Sequence, residues 1–206
     1  VYDISKNIII KENNRLNPLN PYGSSKQMCE KIIQDISKSS ELKFFILRYF
    51  NVAGADLKMR SGQISENSTH LIKVCVECAL QKRKLVEVYG NDYDTQDGTC
   101  VRDFIHISDL ISGHILALQH LIDGGNSDIC NLGYGIGLSV SEVIQKVKDM
   151  SGNNFLVKIG NKREGDNPYV VADCNKIKSK YKWQPLHNDI ETIIKTSLNW
   201  EKSLLI

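Results

Sequence analysis

The passage from Asn20 to Asn51 constrains the fold most, because an amphipathic helical pattern there runs into a continuous apolar one. In "NPYGSSKQMCEKIIQDISK" the residues Cys29, Ile32, Ile33 and Ile36 recur at helical spacing, while Asn20 suits the N-cap and Pro21 the first turn. Tyr22 and Lys26 stand on the same side as Ile33 and Cys29, so the pattern expects both on the inward stripe. The following "KFFILRYFN", Lys43 to Asn51, is β-branched and aromatic without alternation, the signature of a strand covered on both faces. A helix feeding such a strand predicts a parallel α/β unit.

The remainder alternates in the same way. After a loop from Ala53 to Asn67 the spacing predicts a helix over about 70–82 and a strand in "LVEVYG". A polar, loop-like stretch through "NDYDTQDGTCVRDF" then leads into "IHISDLISGHILALQHL", a strand entry running into an amphipathic helix with Ser108 as cap candidate. "SDICNLG" reads as a strand, and the tail offers a short strand "VVAD", a lysine-rich short helix and a final amphipathic helix. The glycines of "GYGIG" follow a strand, but their spacing is not that of a dinucleotide-binding turn, and no acidic residue follows at the expected distance. They read instead as the turn before a helix that Ser139 and Glu142 open with a capping box.

Composition narrows the function classes. At 206 residues, 41% hydrophobic and 24% charged, the chain suffices for one large domain or two small ones. A net charge of +2, with bases and acids interspersed, argues against a nucleic-acid surface. The basic run Gln81–Lys84 reads as a solvated helix end, where cations suit the dipole. No apolar stretch approaches the roughly 20 residues of a membrane span. Six scattered cysteines in a chain of this length read as free thiols in a reducing compartment, the cytoplasm, and Cys75 and Cys78 lack the second pair that a metal site would need. The start at Val1-Tyr2 leads us to expect a piece of a longer protein.

The spacing Tyr22-x-x-x-Lys26 is weak alone, but it does not stand alone. "NPYGSSK", "LRYFNVAGA", "HLI", "VYGNDYDTQDGTCVRDFIHISDL", "NLGYG" and "REGD" follow one another in the order and approximate spacing of the extended short-chain dehydrogenase/reductase family, which the chain resembles along essentially its whole length. Within that family, "YGNDYDTQDGTCVRDFIHISDL" is similar to the pattern of the UDP-glucose 4-epimerases. The resemblance implies an α/β fold: the C-terminal part of an NAD-binding Rossmann-type domain over residues 1–52, then a smaller mixed α/β substrate domain over 53–206, with about 100–122 returning to the first. The family's glycine-rich NAD turn and its Ser/Thr catalytic motif have no counterpart in this sequence, so the chain by itself is expected to bind no NAD and to be inactive.

By the same resemblance Tyr22 is the general acid/base and Lys26 its electrostatic partner, both also touching the cofactor NAD, with Phe50 against the nicotinamide. Physics agrees, since a lysine charge about 6 Å from a tyrosine at an effective dielectric near 20 favours the tyrosinate by roughly 3 kcal/mol, or about two pKa units. The implied reaction takes a proton from the sugar 4-hydroxyl and a hydride from C4, and returns the hydride to the opposite face of the resulting 4-keto sugar. Arg102 and Arg163 are implied to bind the diphosphate, where a guanidinium fork suits phosphate oxygens, and Asp166 the nucleotide ribose. Asn51 is implied near the sugar or diphosphate, and His70, Leu71, Val88, Tyr89 and Phe104 along the uridine and sugar pocket. His70 reads nearly as well as a plain helix cap, and His106 and His114 read as structural.

Lys73 stands where the family commonly has a proline and is taken as peripheral. Read without a gap, "REGDNPYVV" places Val170 beside the sugar 2-substituent, leaving room for an N-acetyl group; a one-residue shift would place Tyr169 there instead. The partners implied are a UDP-sugar and, in the whole protein, a second copy as a homodimer. The alternatives are a nucleotide-sugar 4,6-dehydratase or decarboxylase of the same superfamily, or a non-catalytic nucleotide-sugar-binding module.

Overall fold

The computed structural model describes Tyr2 and residues 9–205. Part of the polar connection ahead of the first helix, together with Val1, lies outside the described residues. In chain order the elements are α1 (Pro21–Lys38), β1 (Phe45–Tyr49), β2 (Asn51–Ala53), α2 (Leu71–Ala79), β3 (Leu85–Tyr89), β4 (Val101–His106) and α3 (Ile107–Ile122). They continue with β5 (Asp128–Leu132), β6 (Gly137–Ser139), α4 (Val140–Ser151), β7 (Leu156–Gly160), β8 (Tyr169–Val170), α5 (Asn175–Tyr181) and α6 (Ile190–Ser203). The class is α/β, as expected.

The strand expected over 43–51 is interrupted at Phe50. β1 pairs in parallel with β5, whereas β2 leaves it to pair in parallel with β4. The chain thus steps between two sheets where its apolar run is densest, a tertiary event that periodicity does not register. β4 also takes β6 antiparallel and β8 parallel, and β3 pairs in parallel with β7. β4 begins at Val101, inside the stretch read as a loop, because Arg102 and Asp103 masked the pattern. Asp103 is fully buried and accepts from the backbone N–H groups of Tyr134, Gly135 and Ala172 at 2.9–3.2 Å. Burial pushes its carboxyl up despite those donors, and the contacts clip the glycine turn and the end of β8 to β4. Strands β6 and β7 went unpredicted, β7 because Leu156 and Ile159 face outward.

The main core lies among α2, α4, α6 and the strands beneath them. Val143, Ile144 and Val147 of α4 form one helical stripe that meets Ile72, Val76 and Ala79 of α2 and Ile193, Ile194 and Leu198 of α6. Full burial of such a side chain stabilises by about 1.5–3 kcal/mol. The capping box at Ser139 and Glu142 forms as expected, with both reciprocal hydrogen bonds present.

Three other expectations need correction. Helix α1 does not bury the Tyr22 stripe: Tyr22 is 72% exposed, and Ile32 and Ile36 are exposed as well. It turns Gly23 and Glu30 inward instead, because Glu30 forms a two-pronged ion pair with buried Arg48 at 2.8 and 2.6 Å. Helix α2 stops at Ala79, Gln81 takes a left-handed backbone conformation, and Lys82 and Arg83 turn back to Glu201 and Glu77 rather than into solvent. The cap of α3 is His106, whose Nδ1 accepts from the Ser108 N–H at 3.1 Å.

Candidate active site

A cleft of about 1160 Å³ opens where β1, β2 and β3 end, between the uncovered face of α1 and the segment leading into α2. Ligand clefts in open α/β sheets lie beyond the carboxyl ends of their strands. Every candidate position lines it: Tyr22 and Lys26 from α1, Phe50 and Asn51 at the β1–β2 step, His70 and Leu71 at the start of α2, Val88 and Tyr89 at the end of β3. Arg102 and Phe104 from β4, Arg163 and Asp166 from the loop after β7, and Val170 from β8 complete the wall.

The α1 end is open and the β3 end is built. On α1 the Asn20 side chain accepts from the Gly23 N–H at 2.8 Å and Pro21 occupies the first turn, which fixes where Tyr22 leaves the helix. One turn later Lys26 places its Nζ 5.3 Å from the Tyr22 ring centre. At the other end Val88 and Phe104 are buried, and Tyr89 offers an aromatic face on which the Arg163 guanidinium lies 4.4 Å from the ring centre. Arg163 also donates from Nε to Asp166 at 2.8 Å; burial pulls its pKa down, but this bond outweighs it and the guanidinium stays firmly charged. The Arg102 Nη1 donates to the carbonyls of Val101 and Asn167 at 2.9 and 2.7 Å, tying β4 to the loop that carries Asp166. His70 is the N-cap residue of α2 but makes no side-chain cap hydrogen bond, so its ring is free of that duty.

Val170 lines the cleft beside Arg102, its parallel register partner, while Tyr169 is not in the lining and its hydroxyl lies over Gly137. His106 is fully buried, linking the α3 cap to Thr196 of α6 through Nε2 at 3.1 Å. The His114 Nδ1 donates to the Leu110 carbonyl within its own helix at 2.9 Å. Neither lines the cleft.

Sequence reasoning missed a second group of lining residues: Gln63, Asn67, Ser68 and Thr69 ahead of α2, Lys73 within it, and Trp200 and Glu201 on α6. Lys73, read as peripheral, is buried among ion pairs. No motif contains these residues, and the only signal was the departure from proline at Lys73.

Parallel strands ending on a cleft with an aromatic platform, two arginines and a Tyr–Lys helix make this an α/β protein with its candidate site at the strand ends. The chain belongs to the NAD dependent epimerase/dehydratase family, whose profile matches residues 1–133. It is 44% identical over 204 residues to the UDP-glucose 4-epimerase of Azospirillum brasilense, covering 99% of this chain and 59% of that protein. Among solved structures it resembles the Stenotrophomonas maltophila UDP-glucose 4-epimerase with bound NAD and formylated UDP-arabinopyranose, at 31% identity and a TM-score of 0.94, covering 100% of this chain and 61% of that one. It also resembles the UDP-Glc/GlcNAc 4-epimerase of Campylobacter jejuni, at 44% identity and a TM-score of 0.78, covering 97% and 60%. The chain spans about three fifths of the length of these relatives.

Proposed function

We propose that the whole protein interconverts UDP-glucose and UDP-galactose by epimerisation at C4, and that this chain supplies its Tyr–Lys pair and its UDP-sugar side. The observation that carries this is the convergence of Tyr22 and Lys26 from α1, Asn51 from β2, Tyr89 from β3, Arg102 from β4 and Arg163 from the loop after β7 on one cleft. The relatives named UDP-glucose 4-epimerase support it.

Tyr22 takes the proton from the sugar 4-hydroxyl and returns it after the ring has turned over, with the Lys26 ammonium 5.3 Å from its ring centre. Arg102 and Arg163 hold the diphosphate, Arg163 leaving Asp166 and the Tyr89 face as the uracil arrives. The diphosphate is therefore a fixed pivot about which a 4-keto sugar rotates. The residues at the α1 end fit the nicotinamide end of NAD: Tyr22, Lys26 and Phe50 face one open stretch of the cleft. When bound there, NAD supplies the acceptor and donor of the C4 hydride.

Residues 1–52 belong, in this reading, to the nucleotide-binding domain and 53–206 mainly to the substrate domain, with about 100–122 returning to the first; the packing of α3 on β1 and β2 supports that return. The position of Val170 in the lining supports acceptance of UDP-N-acetylglucosamine beside UDP-glucose. The whole protein acts as a homodimer in the cytoplasm. Assay of the whole protein with NAD tests the reading: formation of UDP-galactose from UDP-glucose is expected, and its absence in folded protein overturns it. Turnover of UDP-glucose but not of UDP-N-acetylglucosamine would overturn only the Val170 assignment.

A further inference from the structure

The charged residues on the α2 and α6 side of the cleft form a single alternating chain. Glu201 of α6 is paired with both Lys73 and Lys82, and Glu77 with both Lys73 and Arg83. Glu201 and Lys73 are almost wholly withdrawn from solvent. Burial raises the Glu201 carboxyl, but the two lysines outweigh it and hold it below its ordinary value.

The middle of this chain, Lys73, and one of its ends, Arg83, also grip the segment before α2. Lys73 Nζ donates to the Gln63 carbonyl at 3.3 Å, and the Arg83 guanidinium donates to the Ser68 carbonyl at 3.1 Å. Trp200, next to Glu201, donates its indole N–H to the same Gln63 carbonyl at 3.2 Å. Its ring lies so close under Gly62 that a Cβ there would meet ring carbons at 2.5–2.6 Å. Within the segment Gln63 donates to the Ser68 hydroxyl, which accepts also from the His70 N–H. Gln63, Asn67, Ser68, Thr69 and His70 all line the cleft. Asn67 holds a left-handed backbone conformation, uncommon for a residue with a side chain, so the segment depends on its surroundings for its shape.

We propose that Lys73, Glu201 and Trp200 are positioning residues, which hold segment 62–70 as the wall of the cleft and so make nucleotide affinity depend on the C-terminal helix. The proposal rests on the UDP-sugar reading for the identity of the ligand, not for the geometry. A buried ion pair is a poor source of net stability, because desolvation offsets the attraction, yet it fixes partners uniquely. Here the partners are two helices distant in sequence and the backbone of the wall between them.

The test compares three variants of this chain by thermal unfolding, hydrogen exchange over 62–70 and calorimetric titration with UDP. Glu201→Gln leaves Lys73 buried beside a neutral partner and lowers the melting temperature. Lys73→Met combined with Glu201→Gln removes both buried charges and recovers much of that loss, but leaves the Gln63 carbonyl without its ammonium donor. Gly62→Ala changes no charge and pushes the wall off the Trp200 ring. The double variant and Gly62→Ala are expected to exchange faster over 62–70 and to bind UDP about tenfold more weakly. That corresponds to a ~1.4 kcal/mol loss. If affinity and exchange simply track melting temperature, so that the double variant behaves as the parent chain, the positioning role is overturned. If the parent chain binds no UDP, the ligand assignment fails and exchange alone decides: unchanged protection over 62–70 in both variants overturns the proposal.

Discussion

Helices α1 and α2 both flank the cleft and both are amphipathic, yet opposite chemistry holds them. Helix α2 sinks seven of its nine residues between α4 and α6. Helix α1 attaches through the fork of Glu30 on Arg48, the Gln27 and Ser37 side chains and one glycine, and leaves Ile32, Ile36 and Met28 outside. An apolar stripe on a helix therefore reports a demand for cover, and not which surface meets it. The β3 end of the cleft is built on buried Val88 and Phe104, whereas at the other end Tyr22 is exposed among the described residues.

The largest effect expected from this contrast is chemical. In the whole protein Tyr22→Phe should lower kcat by about 10²–10⁴-fold, the usual contribution of a positioned acid/base, and leave UDP affinity unchanged because the anchor lies at the other end. Steady-state kinetics with UDP titration measures both, and undiminished turnover would remove Tyr22 from the reaction.

Next in size is the attachment of α1. The Glu30 and Arg48 side chains are 9% and 8% exposed, and removing one partner of a buried pair costs about 3–5 kcal/mol. Glu30→Ala should lower urea stability on that scale and free α1 to proteolysis. A loss below about 1 kcal/mol, the range of a surface pair, would show that another contact holds the helix.

How far these features were legible follows from how local their causes are. The capping box of α4, the Asn20 cap and the strands β3 and β5 rest on neighbouring residues and were readable. The candidate site was readable because its positions occur within motifs of fixed spacing, and every one of them reaches the cleft. The break at Phe50, the burial of Asp103 and the outward stripe of α1 depend on which sheet, turn or helix lies opposite. Lys73 and Glu201 lie 128 residues apart, so neither carries a sequence sign of the other.

The third prediction returns to the two ends of the cleft. UDP should protect this chain against thermal unfolding while NAD should not, because the sequence has the arginines and the aromatic platform but no glycine-rich turn for the cofactor pyrophosphate. At a hundredfold excess over its dissociation constant UDP would stabilise by about 2.7 kcal/mol. Saturable protection by micromolar NAD would break the contrast.

A smaller effect belongs to Val170. Forcing bulk into a packed site costs about 1–3 kcal/mol, so in the whole protein Val170→Tyr should lower turnover of UDP-N-acetylglucosamine about 5- to 150-fold and spare UDP-glucose. Equal losses on both sugars would place Val170 away from the 2-substituent.

The smallest effect lies beneath both ends, at His106. Its Nδ1 accepts from the Ser108 N–H, so Nε2 carries the proton and donates to Thr196, whose hydroxyl accepts in turn from the Ala55 N–H at 3.2 Å. Protonating Nδ1 would set two donors against each other. Burial holds this imidazole below its ordinary value, and the His187 ring, 5.0 Å away, adds to the effect. The folded pKa therefore lies below that of the unfolded chain, near 6.5. As pH falls through about 6.5 the unfolded state takes up the proton first, so the contribution is complete above that pH and fades below it, down to the folded pKa. Each unit of depression contributes about 1.4 kcal/mol. Urea unfolding at pH 7.5 and 5.5 should show a loss of stability at the lower pH that His106→Gln, which keeps a donor toward Thr196 but does not titrate, largely removes. The carboxylates of Asp128 and Glu201 are held below their ordinary values by lysines and stay charged across this window, so they do not produce the same signal. An equal loss in the variant would assign the pH dependence to another group and leave the β2–α6 junction insensitive to acid.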